Sequence, residues 1–286
     1  MSVQITTAFV EQYKANVLHL AQQKGSRLRD AVRTETVTGK SHFFERIGST
    51  SAQKRTSRHA DTPRMDTPHS RRKVSLEDYD WADLIDNEDK VRLLISPQSE
   101  YAMAGAWAMG RAMDDAIIAA ATGTAYSGVA GGTSVSLPSS QKVAHASGGL
   151  TVAKLISAKE ILDANDIDPD EPRFLVCAAG QIADLLAITQ ITSADYNSVK
   201  ALASGQIDTF LGFKFIRSQR LGTDSTPSRQ CLAFTKSAIG LAIGSDISTK
   251  ISERADKNYA TQVFLSMTIG ATRIEEEKMV EIAANE

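Results

Sequence analysis

Chemistry needs titratable or nucleophilic side chains at workable spacing, and in this chain the candidates are few. His42, His59 and His69 fall in one polar, basic stretch without a carboxylate pair at metal-ligand spacing, and His59 and Asp61 lie too close in sequence to mark a site. Cys177 and Cys231 are the only cysteines, each inside an apolar run. With no basic activator beside them, both read as inert, reduced core thiols of a cytosolic chain. Asp114 and Asp115 are adjacent in a helical pattern, which turns their carboxylates to different sides and makes them poor joint acid/base partners. The run Gly131-Gly-Thr-Ser could cradle a phosphate through backbone N–H groups. However, no Lys follows at P-loop spacing and no Gly-x-Gly-x-x-Gly opens a helix, so it reads as a connecting loop. The residues point to no catalysis, metal or cofactor.

Charge placement says more. The 286 residues carry a formal net charge of -2, which argues against a dedicated nucleic-acid binder. Between Lys40 and Lys73, however, Lys40, Arg46, Lys54, Arg55, Arg58, Arg64, Arg71, Arg72 and Lys73 outnumber Glu45, Asp61 and Asp66. The sign then reverses, with Glu77, Asp78, Asp80, Asp83, Asp86, Glu88 and Asp89 before Lys90. A basic arm and an acidic body in one chain suggest head-to-tail contact between identical copies. Lys40, Arg46, Arg64, Arg71, Arg72 and Lys73 on one side, and Glu77, Asp78, Asp80 and Asp83 on the other, are the candidate contacts.

The element that must position these charges is a long helix over 97–122. Ser96 can cap it, Pro97 suits its first turn and Gly123 its end. Met103, Ala106, Trp107, Gly110, Met113, Ile117 and Ala120 recur at helical spacing as one apolar stripe. Arg111 stands three and four residues before Asp114 and Asp115, a modestly supporting pairing. At ~1.5 Å per residue its run from Ser99 to Thr122 is roughly 36 Å long, a brace as wide as a small domain.

Around it the pattern predicts an N-terminal amphipathic helix from Ile5 to about Arg33, broken near Gly25. Strand-like stretches at 36–47 and 61–74 make a long hairpin, too thin to stand without a neighbour. Val91–Ile95 is a short apolar lead-in, and Thr124–Gly149 a plain loop. A second helix spans Leu150–Ala164, a buried strand starts at Arg173, a short helix follows at Gly180–Leu186 and another at Asp195–Leu202. Strands at 212–218 and 229–235 complete a mixed sheet flanked by helices, with Lys236–Ala242 a helical turn or a continuation. Alternation over 246–252, 260–271 and 277–282 predicts strands returning to the long helix. The N-terminus has no signal-peptide pattern, and no span is long and apolar enough to cross a bilayer, so no membrane association is expected.

This order of parts resembles the major capsid protein of tailed bacteriophages, with the Hong Kong 97-type fold. The stretches that carry the likeness are Ala106-Trp-Ala-Met-Gly-Arg-Ala-Met-Asp-Asp-Ala-Ile-Ile-Ala-Ala, Asp170-Glu-Pro-Arg-Phe-Leu-Val, Leu211-Gly-Phe-Lys-Phe-Ile and Ile269-Gly-Ala-Thr-Arg-Ile. The resemblance implies an α+β chain divided into an N-terminal arm (1–33), an E-loop hairpin (34–75), a first part of a P-domain (76–149) with its spine helix, an A-domain (150–244), and P-domain return strands (245–286). It implies a non-enzymatic subunit that assembles with itself, as hexamers and pentamers, into an icosahedral head around double-stranded DNA held without sequence specificity. A portal, separate scaffolding and decoration proteins, and assembly in the host cytoplasm belong to the same expectation. An encapsulin-like compartment enclosing cargo enzymes is the alternative.

Overall fold

The computed structural model describes residues 22–59, 61–62, 64–86, 97–145, 148–188, 209–223 and 228–285. The expected helix from Ile5 therefore lies outside the described residues up to residue 21. So do Val91–Ile95, the Ser96 cap, Glu88–Lys90 and the helix expected at Asp195–Leu202.

In chain order the elements are β1 (Arg33–Thr36), β2 (Ser41–Ile47), β3 (His69–Ser75), β4 (Glu77–Ile85), α1 (Pro97–Thr122), β5 (Ala125–Ser127), β6 (Thr133–Val135), β7 (Lys142–Val143), α2 (Val152–Ala164), β8 (Arg173–Cys177), α3 (Ala179–Ala187), β9 (Thr209–Phe210), β10 (Phe213–Arg217), β11 (Ser228–Thr235), β12 (Ile239–Arg254), β13 (Ala260–Arg273) and β14 (Met279–Asn285). They form three sheets, ordered β1-β12-β13-β4, β7-β14-β11-β8-β10-β9 and β2-β3-β5-β6.

Helix α1 forms from an Ala-rich run with no internal proline, and it lies on β13, β12 and β4. Its buried line runs through Gly105, Met109, Met113, Ile117 and Ala121. Gly105 lets the sheet come close, because an added Cβ there would stand 2.6 Å from a ring carbon of Trp81. That close approach sets the helix rotation, so the expected stripe shifts. Met103 is 41% exposed, and Met109 and Ala121 take the places assigned to Met103 and Ala120.

The sheet under α1 is built on β12 and β13, paired antiparallel from Ile239↔Arg273 to Arg254↔Ala260. Irregular register near Ser245 divides β12 into a buried first part beside β1 and a more exposed second part. Alternation puts Val263, Leu265, Met267 and Ile269 on the helix side, all buried. One continuous core runs from these residues into the six-stranded sheet, through Leu155 and Leu162 of α2 and Ile182 and Leu185 of α3.

Four expectations are corrected. The last strand, β14, does not return to the helix: it pairs with β11 over Ser228↔Asn285 to Phe234↔Met279 and completes the six-stranded sheet. Unlike β13, it is buried without interruption from Met279 to Ile282, Glu281 included, as a strand covered on both faces is, so the alternation expected over 277–282 does not hold. β12 begins at Ile239, before the boundary expected at 245, and Lys236–Ala238 is only a turn. Thr124–Gly149 is not a plain loop, since β5 and β6 extend the hairpin sheet and β7 lies parallel to β14. Residues 22–33 are not α-helix but a chain segment with a 3-10 turn at Arg29–Ala31 leading into β1.

Candidate assembly surface

The hairpin is β2 paired antiparallel with β3, from Ser41↔Ser75 to Ile47↔His69. At its root Phe44 is buried with Val37, Val74, Ala242 and Ile274. The Phe44 ring fills the space over Gly240, where an added Cβ would stand 2.6 Å away. Beyond Ile47 the hairpin leaves the body, and every described residue from Gly48 to Asp66 is exposed.

Charge sorts along this ribbon. Arg72, only 3% exposed, donates from Nη2 to both carboxylate oxygens of Glu276 at 2.6 Å and from Nε to the Ile274 carbonyl at 3.2 Å. Arg46 donates to the same carbonyl at 2.7 Å and to Ser70 Oγ at 3.1 Å, with a guanidinium nitrogen 3.7 Å from Glu276. Arg273, fully buried, brings Nε to 3.6 Å from Glu276. Its Nη atoms donate to the carbonyls of Ala121, Gly123 and Val135, closing the C-terminal end of α1 where the helix leaves acceptors unpaired. Burial pushes the Arg273 pKa down despite the nearby Glu276 carboxylate. One carboxylate thus ties hairpin, helix end and the β13–β14 turn together.

Arg46 and Arg72, expected to face a neighbouring copy, are therefore anchors within their own chain. Their partner lies some 200 residues away in sequence, at Glu276. Arg71 bridges to Glu45 at 2.8 Å and lies over the Phe43 ring, 5.2 Å from its centroid. Lys73 lays its aliphatic stem against Gly131, where an added Cβ would stand 2.4 Å from the lysine Cδ. Lys40 and Arg64 are exposed, as are Lys54, Arg55 and Arg58 at the tip.

The acidic segment is β4, an edge strand of the sheet under α1. Alternation turns Tyr79 and Trp81 toward the core and leaves Glu77, Asp78 and Asp80 exposed. Asp78 accepts from Thr268 Oγ1 at 2.7 Å, and Glu77 from the Tyr79 hydroxyl at 3.3 Å. Asp83 is half-buried and accepts the Leu84 N–H at 2.8 Å. The structure thus presents a basic tip and an acidic sheet edge on one chain.

Sequence reasoning missed how the two aspartates of α1 are used. Asp114 is fully buried and accepts from Ser26 Oγ at 2.6 Å, from Gln23 Nε2 at 2.5 Å and from the N–H groups of Arg27 and Leu28 at 3.1 Å. Gly110 makes this possible, since an added Cβ there would meet the Gly25 backbone at 2.5 Å. Asp115 takes a two-pronged bond from Arg220 instead of pairing with Arg111. Lys154 was equally illegible: it donates to the carbonyls of His145, Gly148 and Ala283 at 2.8–2.9 Å, and desolvation lowers its pKa.

The buried thiols are held protonated, that of Cys177 by burial that pushes its pKa up to about 12, and that of Cys231 in the same direction. Among the described residues, no group of three or more His, Cys, Asp or Glu could hold a metal ion, and no helix is long and apolar enough to cross a membrane.

A family model described as phage capsid protein matches residues 5–286. The chain belongs to this family. Its fold is that of tailed-phage capsid subunits. A capsid structure of cyanophage P-SCSP1u aligns with TM-score 0.72 and 20% identity over 99% of this chain and 95% of that one. The capsid of Ralstonia phage GP4 aligns with TM-score 0.73 and 9% identity, covering 96% and 95%. Mycobacterium phage Che8 aligns with TM-score 0.69 and 15% identity, covering 96% and 97%. Among curated proteins no sequence matches. The chain is a major capsid protein of the icosahedral shell, and the encapsulin-like alternative is not favoured.

Proposed function

We propose that this capsid protein joins neighbouring copies by laying the exposed hairpin tip of one against the acidic β4 edge of the next. The observation that carries the reading is the sorting of charge. Root arginines are consumed by Glu276, whereas Lys54, Arg55, Arg58 and Arg64 project from the body, and Glu77, Asp78 and Asp80 line an open sheet edge. Lys40, Arg71, Lys73 and Asp83 border these surfaces. Each exposed pair contributes ~0–1 kcal/mol, so single pairs stay reversible and only their repetition across a shell holds it. The hairpin with β5 and β6 acts as the E-loop unit, the sheet under α1 as the P-domain, and the six-stranded sheet, β14 included, as the A-domain. The assembled head encloses double-stranded DNA, meets a portal and separate scaffolding or decoration proteins, and forms in the host cytoplasm.

The test is charge reversal. Changing Arg55, Arg58 and Arg64 to Glu abolishes closed shells in electron micrographs while leaving the thermal midpoint unchanged. Mixing that variant with one carrying Glu77, Asp78 and Asp80 changed to Lys restores mixed assemblies. Normal shells from the tip variant alone refute the reading.

A further inference from the structure

A second basic feature lies away from the hairpin. Where the 22–27 segment crosses α1 beside the end of β10, Arg27, Arg111, Arg217 and Arg220 line an open cleft of about 460 Å³. Its other walls are Gln22, Gln23, Ser218, Gln219 and Ala179, so among the described residues no carboxylate lines it. The two aspartates nearest in sequence to Arg111 are already committed, Asp114 to backbone and side-chain donors and Asp115 to Arg220. Among the described residues, Arg27 and Arg111 hydrogen-bond neutral oxygens through their guanidiniums. Arg27 donates to the Arg217 carbonyl at 2.8 Å, and Arg111 to Gln22 Oε1 at 2.9 Å and the Gln23 carbonyl at 3.1 Å. These bonds fix both guanidiniums in place without cancelling their charge. Lys24 adds a further cation one turn away along α1, 5.3 Å from the Trp107 ring centroid.

We propose that this cleft binds backbone phosphate of the enclosed double-stranded DNA, an inference that rests on the reading of the chain as the shell of a DNA-filled head. Planar guanidiniums are the side chains best matched to phosphate oxygens. Neutral amide and hydroxyl walls can add hydrogen bonds without repelling an anion. The cleft is open rather than enclosed, which suits one phosphate on a continuous strand and offers nothing that reads a base edge. In a chain of net charge -2, such a local excess holds DNA at fixed points while the rest of the surface does not adhere to it.

The test uses the unassembled full-length chain, kept dilute and monitored by sedimentation, with short fluorescent duplexes of two unrelated sequences. Wild type binds both alike, with affinity falling steeply as salt rises. In the double variant Arg27→Gln, Arg111→Gln the slope of log affinity against log salt shrinks by about 2, one for each guanidinium no longer paired with a phosphate. The control variant Arg55→Gln, Arg58→Gln at the hairpin tip keeps the wild-type slope. Independently of any variant, duplex DNA protects Arg27 and Arg111 of the wild-type chain from an arginine-selective dicarbonyl reagent, as read by peptide mass mapping. The proposal is overturned by absent binding to wild type, by an unchanged slope in the double variant, by missing protection, or by a polyglutamate peptide outcompeting duplex at equal charge. Shells that form normally alongside any of these results leave the assembly reading intact, so the two failures are told apart.

Discussion

Replacing Glu276 by Gln removes one charge and almost no volume from the point where hairpin, helix end and β13–β14 turn meet. Three guanidiniums converge there on a single carboxylate that is 11% exposed, with Arg72 making both short bonds and Arg46 and Arg273 at 3.6–3.7 Å. Breaking a buried pair by removing one partner costs about 3–5 kcal/mol, because the remaining charge stays buried without compensation. Gln keeps one acceptor for Arg72, which places the loss near the lower end of that range. Unfolding entropy for a chain of 286 residues is about 0.6 kcal/mol per degree, so a loss of about 3 kcal/mol lowers the thermal midpoint by about 5 °C. Scanning calorimetry of unassembled subunits reads this directly. Salt near 1 M screens exposed pairs but not this one, and the deficit persists there. A fall below about 1 °C, or full recovery in salt, would refute the assignment of Glu276 as the counter-charge that roots the hairpin.

Other outcomes follow from the same structure. Gly110→Val drives a side chain into the Gly25 backbone and lowers stability by about 1–3 kcal/mol or more, measured by urea unfolding; a neutral result would mean that the 22–28 segment does not rest on α1. Neither Cys177 nor Cys231 reacts with a thiol reagent at pH 8 in the folded chain, and both react once it is unfolded; rapid labelling of the native protein would contradict their burial. The hydrogen bond from Arg29 holds the Asp246 carboxyl below its ordinary range. Its contribution is therefore present above the unfolded carboxylate pKa, near 3.9, and lost as pH falls through the lower folded value. The pair is about half exposed, so Asp246→Asn costs less than about 1 kcal/mol at neutral pH and nothing at low pH. An equal cost at both pH values would contradict the linkage.

Much of this architecture was legible because it rests on local pattern. The long helix, the hairpin arms, the alternation of β13 and the short helix before residue 188 all announce themselves through periodicity and turn residues. What could not be read depends on partners far along the chain. β14 is buried on both faces from Met279 to Ile282, and only its pairing with β11 decides its sheet. Arg46 and Arg72 sit in a basic run that looks uniform in sequence, yet Glu276 withdraws them from the surface and leaves the tip charges exposed. Asp114 and Asp115 are neighbours of one type with opposite roles, one a buried acceptor for the 23–28 turn and the other a surface partner of Arg220. Gly110 beside Asp114 was the available signal, since a small residue facing a buried acid marks where another backbone comes close. The cleft lined by four arginines draws on segments some 190 residues apart in sequence and had no contiguous trace at all.

Self-assembly is the claim on which the rest depends, and negative-stain electron microscopy of the purified full-length chain over a concentration series, paired with sedimentation velocity, tests it most directly. Closed, uniformly curved shells are expected above a threshold concentration, with free subunits below it. Subunits that remain monomeric at every concentration, with or without added duplex DNA, would contradict it.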